Sequence, residues 1–261
     1  MALTDTEKKY HLNISPDEVG KYVIIAGDPA RIPLIAGNFD DPYFVASNRE
    51  YTTYTGSLNG VKVSAVSVGI GGPSAAIAVE ELCQCGVHTV IRVGTSGGMK
   101  DSVRGGDIVI ASSAIRAEGT SYEYLPHGYP AAADFGVIDA LYKAALPLSS
   151  DKEGERVHVG VVHSKDSFYG ETAPETMPVS KMLEDRWDAY VKCGCLTSEM
   201  ECAALFSVAA VRDIRAGAVL SILWNAERSR KGSGDNICNS SDRAIKCAVG
   251  AMRILIENDE N

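Results

Sequence analysis

The chain reads as an α/β protein with a central mixed β-sheet flanked by helices, and three observations point there. Short β-branched runs such as Thr89-Val90-Ile91 alternate with longer segments of helical apolar spacing. Asn59-Gly60 joins two extended runs as a hairpin, so antiparallel pairs accompany the parallel ones. Polar, glycine-rich segments stand at several strand ends, where ligands bind in such folds. The 261 residues are 45% hydrophobic and 23% charged, and no linker, composition shift or internal repeat divides them. One domain over residues 1–261 is therefore expected.

Residues 21–26 form a first buried strand, which Gly27-Asp28-Pro29 turns into a helix reaching about residue 37. Asp28 suits the cap and Pro29 the first helical position. Extended runs follow at 51–58 and 61–68, and residues 74–85 have helical spacing that stops at Gly86. The strand over 89–91 then ends in a charged, small-residue turn, Arg92 to Gly98. Further strands are predicted at 107–112, 157–162 and 216–224. They alternate with helices at 134–145, 178–192, 198–211 and 240–257.

A formal charge of −9 opposes general binding to nucleic acid or to an anionic membrane, so a bound anion needs a local basic cluster. The stretch from Met1 to Lys9 has no apolar core of a secretory signal, and no apolar run approaches the ~18 residues of a membrane span. The seven cysteines are an odd number that fits reduced thiols in the cytoplasm. The pairs Cys83/Cys85 and Cys193/Cys195 lack the spacings of a zinc site.

Arg92-Val-Gly-Thr95-Ser-Gly-Gly98 offers a guanidinium, two hydroxyls and unshielded amides to a phosphate-sized oxyanion. The plainer alternative is a solvent-facing arginine at a turn. Gly27-Asp-Pro-Ala-Arg31 sets free amides and a helix start beside a second arginine, or is simply a capped helix with a surface charge. Asn48-Arg49-Glu50-Tyr51 carries a third, which also reads as a solvated edge charge. Ser198 and Glu201 have the spacing of a capping box. Glu199 and Glu201 at the start of an apolar helix equally suit the vicinal hydroxyls of a sugar.

Taken in order, Gly27-Asp-Pro-x-Arg31, Asn48-Arg-Glu-Tyr51, Gly69-Ile-Gly-Gly-Pro-Ser74, Arg92-x-Gly-Thr95-x-Gly97 and Glu199-Met-Glu201 resemble the hexameric bacterial uridine phosphorylases of the nucleoside phosphorylase-I family. The resemblance implies a phosphorylase/hydrolase-like fold. It implies phosphate ligands Gly27, Arg31, Arg92 and Thr95, with Arg49 reaching in from a neighbouring subunit of a hexamer built as a trimer of dimers. Thr95, Met200, Glu201 and Glu199 are implied ribose contacts, and His11 is implied to be lent across the dimer to the sugar. Phe168 is the implied wall of the base pocket. Glu50, Ile70 and Ser74 resemble positions that hold a monovalent cation, K+, between subunits in some members. No other cofactor is implied, because inorganic phosphate is itself the nucleophile.

The implied reaction is phosphorolysis of the N-glycosidic bond of uridine or a related pyrimidine nucleoside. At the base the pattern departs from the family: Glu171 stands where a Gln is usual and Thr176 where an Arg is. A carboxylate only accepts, whereas an amide also donates. Glu171 facing adjacent N–H donors would suit guanosine or inosine, which keeps a purine nucleoside phosphorylase as the alternative. A non-catalytic nucleoside-binding protein is a third reading. The last strand ends in Asn225-Ala-Glu-Arg228, where the resemblance implies Asn225 at the base and Arg228 as the leaving-group arginine, displaced slightly in register; Arg228 equally reads as a solvated loop charge.

Overall fold

The computed structural model describes residues 7–260, so Met1 to Thr6 of the N-terminal stretch, and Asn261, lie outside the described residues. β1 (Tyr22–Ala26) is buried throughout. The Asp28 carboxylate beyond it accepts from Ala30 N at 2.9 Å and opens a 3-10 turn (Pro29–Arg31) that leads into α1 (Ile32–Ala36). The Asp-Pro start is thus as expected. β2 (Asp40–Asn48), β3 (Tyr51–Leu58) and β4 (Val61–Ser67) make an antiparallel meander. At the β3–β4 turn Asn59 and Gly60 have φ of 51° and 79°, as a mirror-image two-residue hairpin requires. β2 lacks the alternation that would have revealed it. It is an edge strand, largely exposed and interrupted by Pro42.

The chain continues through α2 (Gly72–Gln84), β5 (Thr89–Gly98), β6 (Ile108–Ala117), α3 (Thr120–Tyr124), β7 (Ala131–Ala132) and α4 (Phe135–Ala145). β8 (Val157–Lys165), α5 (Phe168–Thr172), α6 (Ser180–Lys192) and β9 (Thr197–Glu199) follow. α7 (Cys202–Arg212), β10 (Arg215–Asn225), α8 (Ala226–Arg230) and α9 (Asp242–Glu260) complete it.

Two sequence expectations are corrected. The segment Arg92 to Gly98 is not a turn: β5 runs on to Gly98, because β10 pairs with it along its whole length. Nor does a helix begin at Ser198 with a capping box. Ser198 lies in β9, and the α7 amides of Glu201 and Cys202 are instead satisfied by Glu199, at 2.8 and 2.9 Å.

The sheet is mixed, as expected, and part of it closes on itself. β5, β10, β6, β8 and β9 form a ring in which β10 pairs with both β6 and β5, while β1, β4, β3 and β2 extend outward from β5. One face packs against α2 and α7 around Leu82, Leu205 and Phe206, the other against α1, α4 and α9 around Ile35, Leu141 and Met252. β1 accompanies β5 as far as Val93 and β9 joins it only at Gly97. On that edge Gly94, Thr95 and Ser96 therefore have no strand partner, and the ligand-sized opening lies there. No helix among the described residues is long and apolar enough to cross a membrane.

Candidate active site

A cleft of about 980 Å³ opens at this gap. Its walls include Gly27 and Arg31 from the β1 end, Glu50, Ile70 and Ser74 from the β3–α2 side, and Arg92, Gly94, Thr95, Ser96 and Gly97 along β5. Lys165, Phe168, Glu171, Glu199, Met200, Glu201 and Arg230 close the far side. Gly27 must be glycine because a Cβ there would stand 2.9 Å from the Gly69 carbonyl oxygen. Gly69, at φ +68°, has the same constraint: its Cβ would meet Glu50 Cγ and Ser74 Oγ, each at 2.9 Å.

Arg92 is buried, with its side chain 4% exposed. Its Nε and Nη2 each stand 3.3 Å from Glu199 Oε2, and Nη2 also donates to Glu201 Oε2. Glu199 accepts further from Ser164 Oγ and from the two α7 amides. Burial alone would raise its pKa, but Arg92 and these donors outweigh burial and hold it below the ordinary carboxylate value. Glu201 stands above that value. Burial raises it, Arg92 opposes, and the charge of Glu199 pushes the same way as burial. Its other oxygen accepts from Gly71 N at 2.6 Å, at the start of α2. Arg31 is half-buried, and burial followed by the charge of Arg92 lowers its pKa. On the cleft wall, Arg92 Nη1 and Ser96 Oγ are buried polar atoms without a protein partner.

Glu171 is not an isolated carboxylate. Lys165 Nζ meets its Oε1 at 2.9 Å, Ser198 Oγ donates to its Oε2 at 2.6 Å, and His163 Nδ1 lies 3.2 Å from Oε2. Burial raises its pKa, and the contacts with His163, Lys165 and Ser198 reverse that, leaving it below the ordinary value. Phe168 flanks this group, with Lys165 Nζ 6.0 Å from its ring centroid.

Several expected residues lie elsewhere. Arg228 turns away from the cleft to Asp101 at 2.8 Å and to the Gly234 carbonyl. Two residues on, Arg230 takes the wall position, bonded to the Glu171 carbonyl at 2.7 Å and stacked 4.3 Å over the Trp187 ring. Asn225 is fully buried, caps α8 through Arg228 N, and donates to the carbonyls of Lys100 and Val103. It serves the fold and does not line the cleft. Thr176 is exposed, its hydroxyl donating to the Ala173 carbonyl, because a 3-10 turn at Pro174–Thr176 carries it outward. Neither His11 nor Arg49 lines this cleft. His11 Nδ1 is held 2.7 Å from Glu81, and Arg49, at φ 56°, lies over the Tyr10 ring. Lys165, His163 and Arg230 were missed in the sequence. The polar end of an apolar strand, His163-Ser164-Lys165, was the available signal.

A buried arginine between two carboxylates, in a cleft where a sheet strand lacks a partner on one edge, brings charged donors and acceptors together at one place. The chain belongs to the phosphorylase superfamily, whose family model matches residues 21–256. It is 48% identical over 254 residues to a uridine phosphorylase of Treponema pallidum, covering 97% of this chain and 96% of that one. It is 38% identical to a uridine phosphorylase of Thermococcus kodakarensis, covering 98% and 90%. A guanosine phosphorylase of Halorubrum lacusprofundi is 36% identical, covering 95% and 97%.

Proposed function

We propose that this chain is a pentosyltransferase that cleaves uridine, or a related pyrimidine nucleoside, with inorganic phosphate. The observation that carries this reading is Arg92, a buried guanidinium with an unpartnered Nη1 on the cleft wall, tied to Glu199 and Glu201. Phosphate is bound by Arg31, Arg92, Thr95 and the Gly27 backbone, with Arg49 supplied by a second copy. Glu201 accepts from the ribose 2′- and 3′-hydroxyls beside Met200, Thr95 and Glu199, and His11 of a second copy meets the sugar. Phe168 forms one wall of the base pocket.

The C1′–N bond breaks with its electron pair leaving on the base, and a phosphate oxygen lone pair forms the new bond to C1′. Proton uptake from solvent completes the free base, and the co-product is ribose 1-phosphate. Holding the two reactants together supplies several kcal/mol of the acceleration, and fixed donors facing the leaving base supply more. Phosphate is already nucleophilic, so this reading calls for no redox cofactor. Glu50, Ser74 and the Val68 carbonyl bring oxygens together at the cleft edge, with Ser74 Oγ 2.9 Å from Glu50 Oε1 and hydrogen-bonded to Val68 O. An all-oxygen donor set suits a hard cation such as K+ between copies, with Ile70 contributing only backbone.

Measuring base release with and without phosphate tests the class. Equal cleavage in phosphate-free buffer makes the chain a hydrolase and removes the role of Arg92. Tight nucleoside binding by calorimetry with no turnover makes it a binding protein. The carboxylate of Glu171 in the cleft, together with the guanosine phosphorylase relative, supports a second reading as a purine nucleoside phosphorylase. A panel of uridine, thymidine, inosine and guanosine separates the two. Because His11 and Arg49 lie outside the cleft of their own copy, their proposed roles require a neighbour's, in a homo-oligomer read as a hexamer of three dimers; a fully active monomer in sedimentation overturns it. Seven unbridged thiols support a cytoplasmic enzyme.

A further inference from the structure

We infer that Lys165 and Glu171 together read a lactam edge, an adjacent C=O and N–H, on the base. Lys165 supplies the donor, a role the sequence left unfilled once Gln and Arg were absent. This rests on the reading of the cleft as a nucleoside site.

The three elements that converge are the end of β8, the short α5 and β9. Lys165 Nζ carries three N–H donors. One goes to Glu171 Oε1 at 2.9 Å and one to Ser198 Oγ at 2.8 Å, which leaves one. A carboxylate offers about four acceptor sites. Ser198 and His163 occupy Oε2 and Lys165 takes one site on Oε1, so Oε1 keeps one. A free donor on Nζ thus stands beside a free acceptor on Oε1. Both groups line the cleft next to Phe168, and both are nearly buried, with side chains 10% and 12% exposed.

That order, donor then acceptor, is what a side-chain amide presents, built here from an ion pair. It fits the C4 carbonyl and N3–H of uracil, and equally the C6 carbonyl and N1–H of a 6-oxopurine. Cytosine and adenine present an amino group where the carbonyl should be and a bare ring nitrogen where the N–H should be. Donor would face donor and acceptor would face acceptor. A site built to pair a polar edge rejects the mismatched analogue strongly. The same Nζ also faces the oxygen on which negative charge gathers as the base departs.

The test uses free bases and nucleosides with the full chain. By calorimetry in phosphate buffer, the parent binds uracil at least about 100-fold more tightly than cytosine, and Lys165→Met weakens uracil by about 10- to 150-fold, the value of one charged hydrogen bond. In the double variant Lys165→Met/Glu171→Gln the amide restores donor and acceptor, and uracil binding recovers by about tenfold or more. A purely structural role for Lys165 gives no such recovery. The double variant leaves no unpaired buried charge, so it also carries the test if Lys165→Met fails to fold. Uracil binding within threefold of the parent in folded Lys165→Met, or no preference of the double variant for uracil over cytosine, overturns the inference. So does a parent that binds cytosine as well as uracil. Turnover separates the two levels. Phosphate-independent uridine cleavage with the base preference intact sinks phosphorolysis alone. Phosphate-dependent cleavage at parental kcat/KM by Lys165→Met sinks this inference alone.

Discussion

Replacing Arg92 by methionine keeps the unbranched stem of the side chain and deletes the charge that two carboxylates share. Glu199 and Glu201, with side chains 1% and 6% exposed, would then face each other without a cation. Removing one partner of a buried pair costs about 3–5 kcal/mol. At ~2–4 °C per kcal/mol for a chain of this size, the melting temperature falls by roughly 6–20 °C. The loss also depends on pH, and its sign follows from Glu201. Its folded pKa already stands above the ordinary value through burial, despite the opposing pull of Arg92, and rises further when that pull is gone. A raised group stabilises fully only below its unfolded pKa, about 4.3 for Glu, and that stability is lost as pH climbs through the folded value. Arg92→Met is therefore less destabilised at pH 5 than at pH 8, relative to the parent at each pH. In the same variant the KM for phosphate rises by about 10- to 150-fold, the value of a charge-assisted hydrogen bond. Thermal unfolding at the two pH values checks the first claim and initial rates against phosphate concentration the second. An equal deficit at both pH values, or one under about 1 kcal/mol at pH 8, would refute the shared-cation reasoning.

Arg230→Ala raises the KM for nucleoside, whereas Arg228→Ala leaves it unchanged and lowers stability by about 1–2 kcal/mol, because only Arg230 lines the cleft; steady-state kinetics of the pair separates them. Gly94→Ala places a Cβ 2.6 Å from Leu220 Cδ2 and 2.9 Å from Arg92 Nη2, so both the melting temperature and the affinity for phosphate fall, as thermal unfolding and a phosphate titration read out. Asp107 is fully buried and accepts from Arg104 N, Arg156 N and His158 Nε2. Burial raises its pKa, but these donors outweigh burial and hold it below the usual value. Its contribution is present above the unfolded pKa near 3.9 and is lost as pH falls through the folded one. Asp107→Asn therefore unfolds more readily at pH 7 and shows a shallower acid limb in a pH titration of stability.

What the residues announced in advance is what local chemistry dictates. Asn59-Gly60 and Asp28-Pro29 demand particular backbone angles, so the hairpin and the first turn were legible, and the apolar spacing of α9 was equally plain. β5 was cut short because Gly94 to Gly98 read as a turn. β10, far along the chain, holds those glycines extended, with β9 joining at Gly97 and Gly98. β9 was hidden for the same reason: three residues of strand have no period, and Ser198 with Glu201 imitates a cap. At the site, Arg31, Arg92 and Glu201 were recognisable from ordered motifs. Arg228 and Arg230 were not distinguishable, because a shift of two residues on a five-residue helix reverses which side chain faces the cleft. The clamp on Glu171 depends on β8, α5 and β9 meeting in space, which no local pattern records.

The stretch of β5 left open along one edge has a consequence in time. Arg31 follows a strand near the start of the chain and Glu199 ends one near its close, and both reach the cleft by pairing with β5. Such pairings of distant segments form late in folding. The helices and the β3–β4 hairpin can assemble from neighbours, but the cleft exists only after β9 has docked and the ring has closed. On dilution from denaturant, catalytic competence should therefore return after helical signal does, and the interval between them measures the closing of the ring.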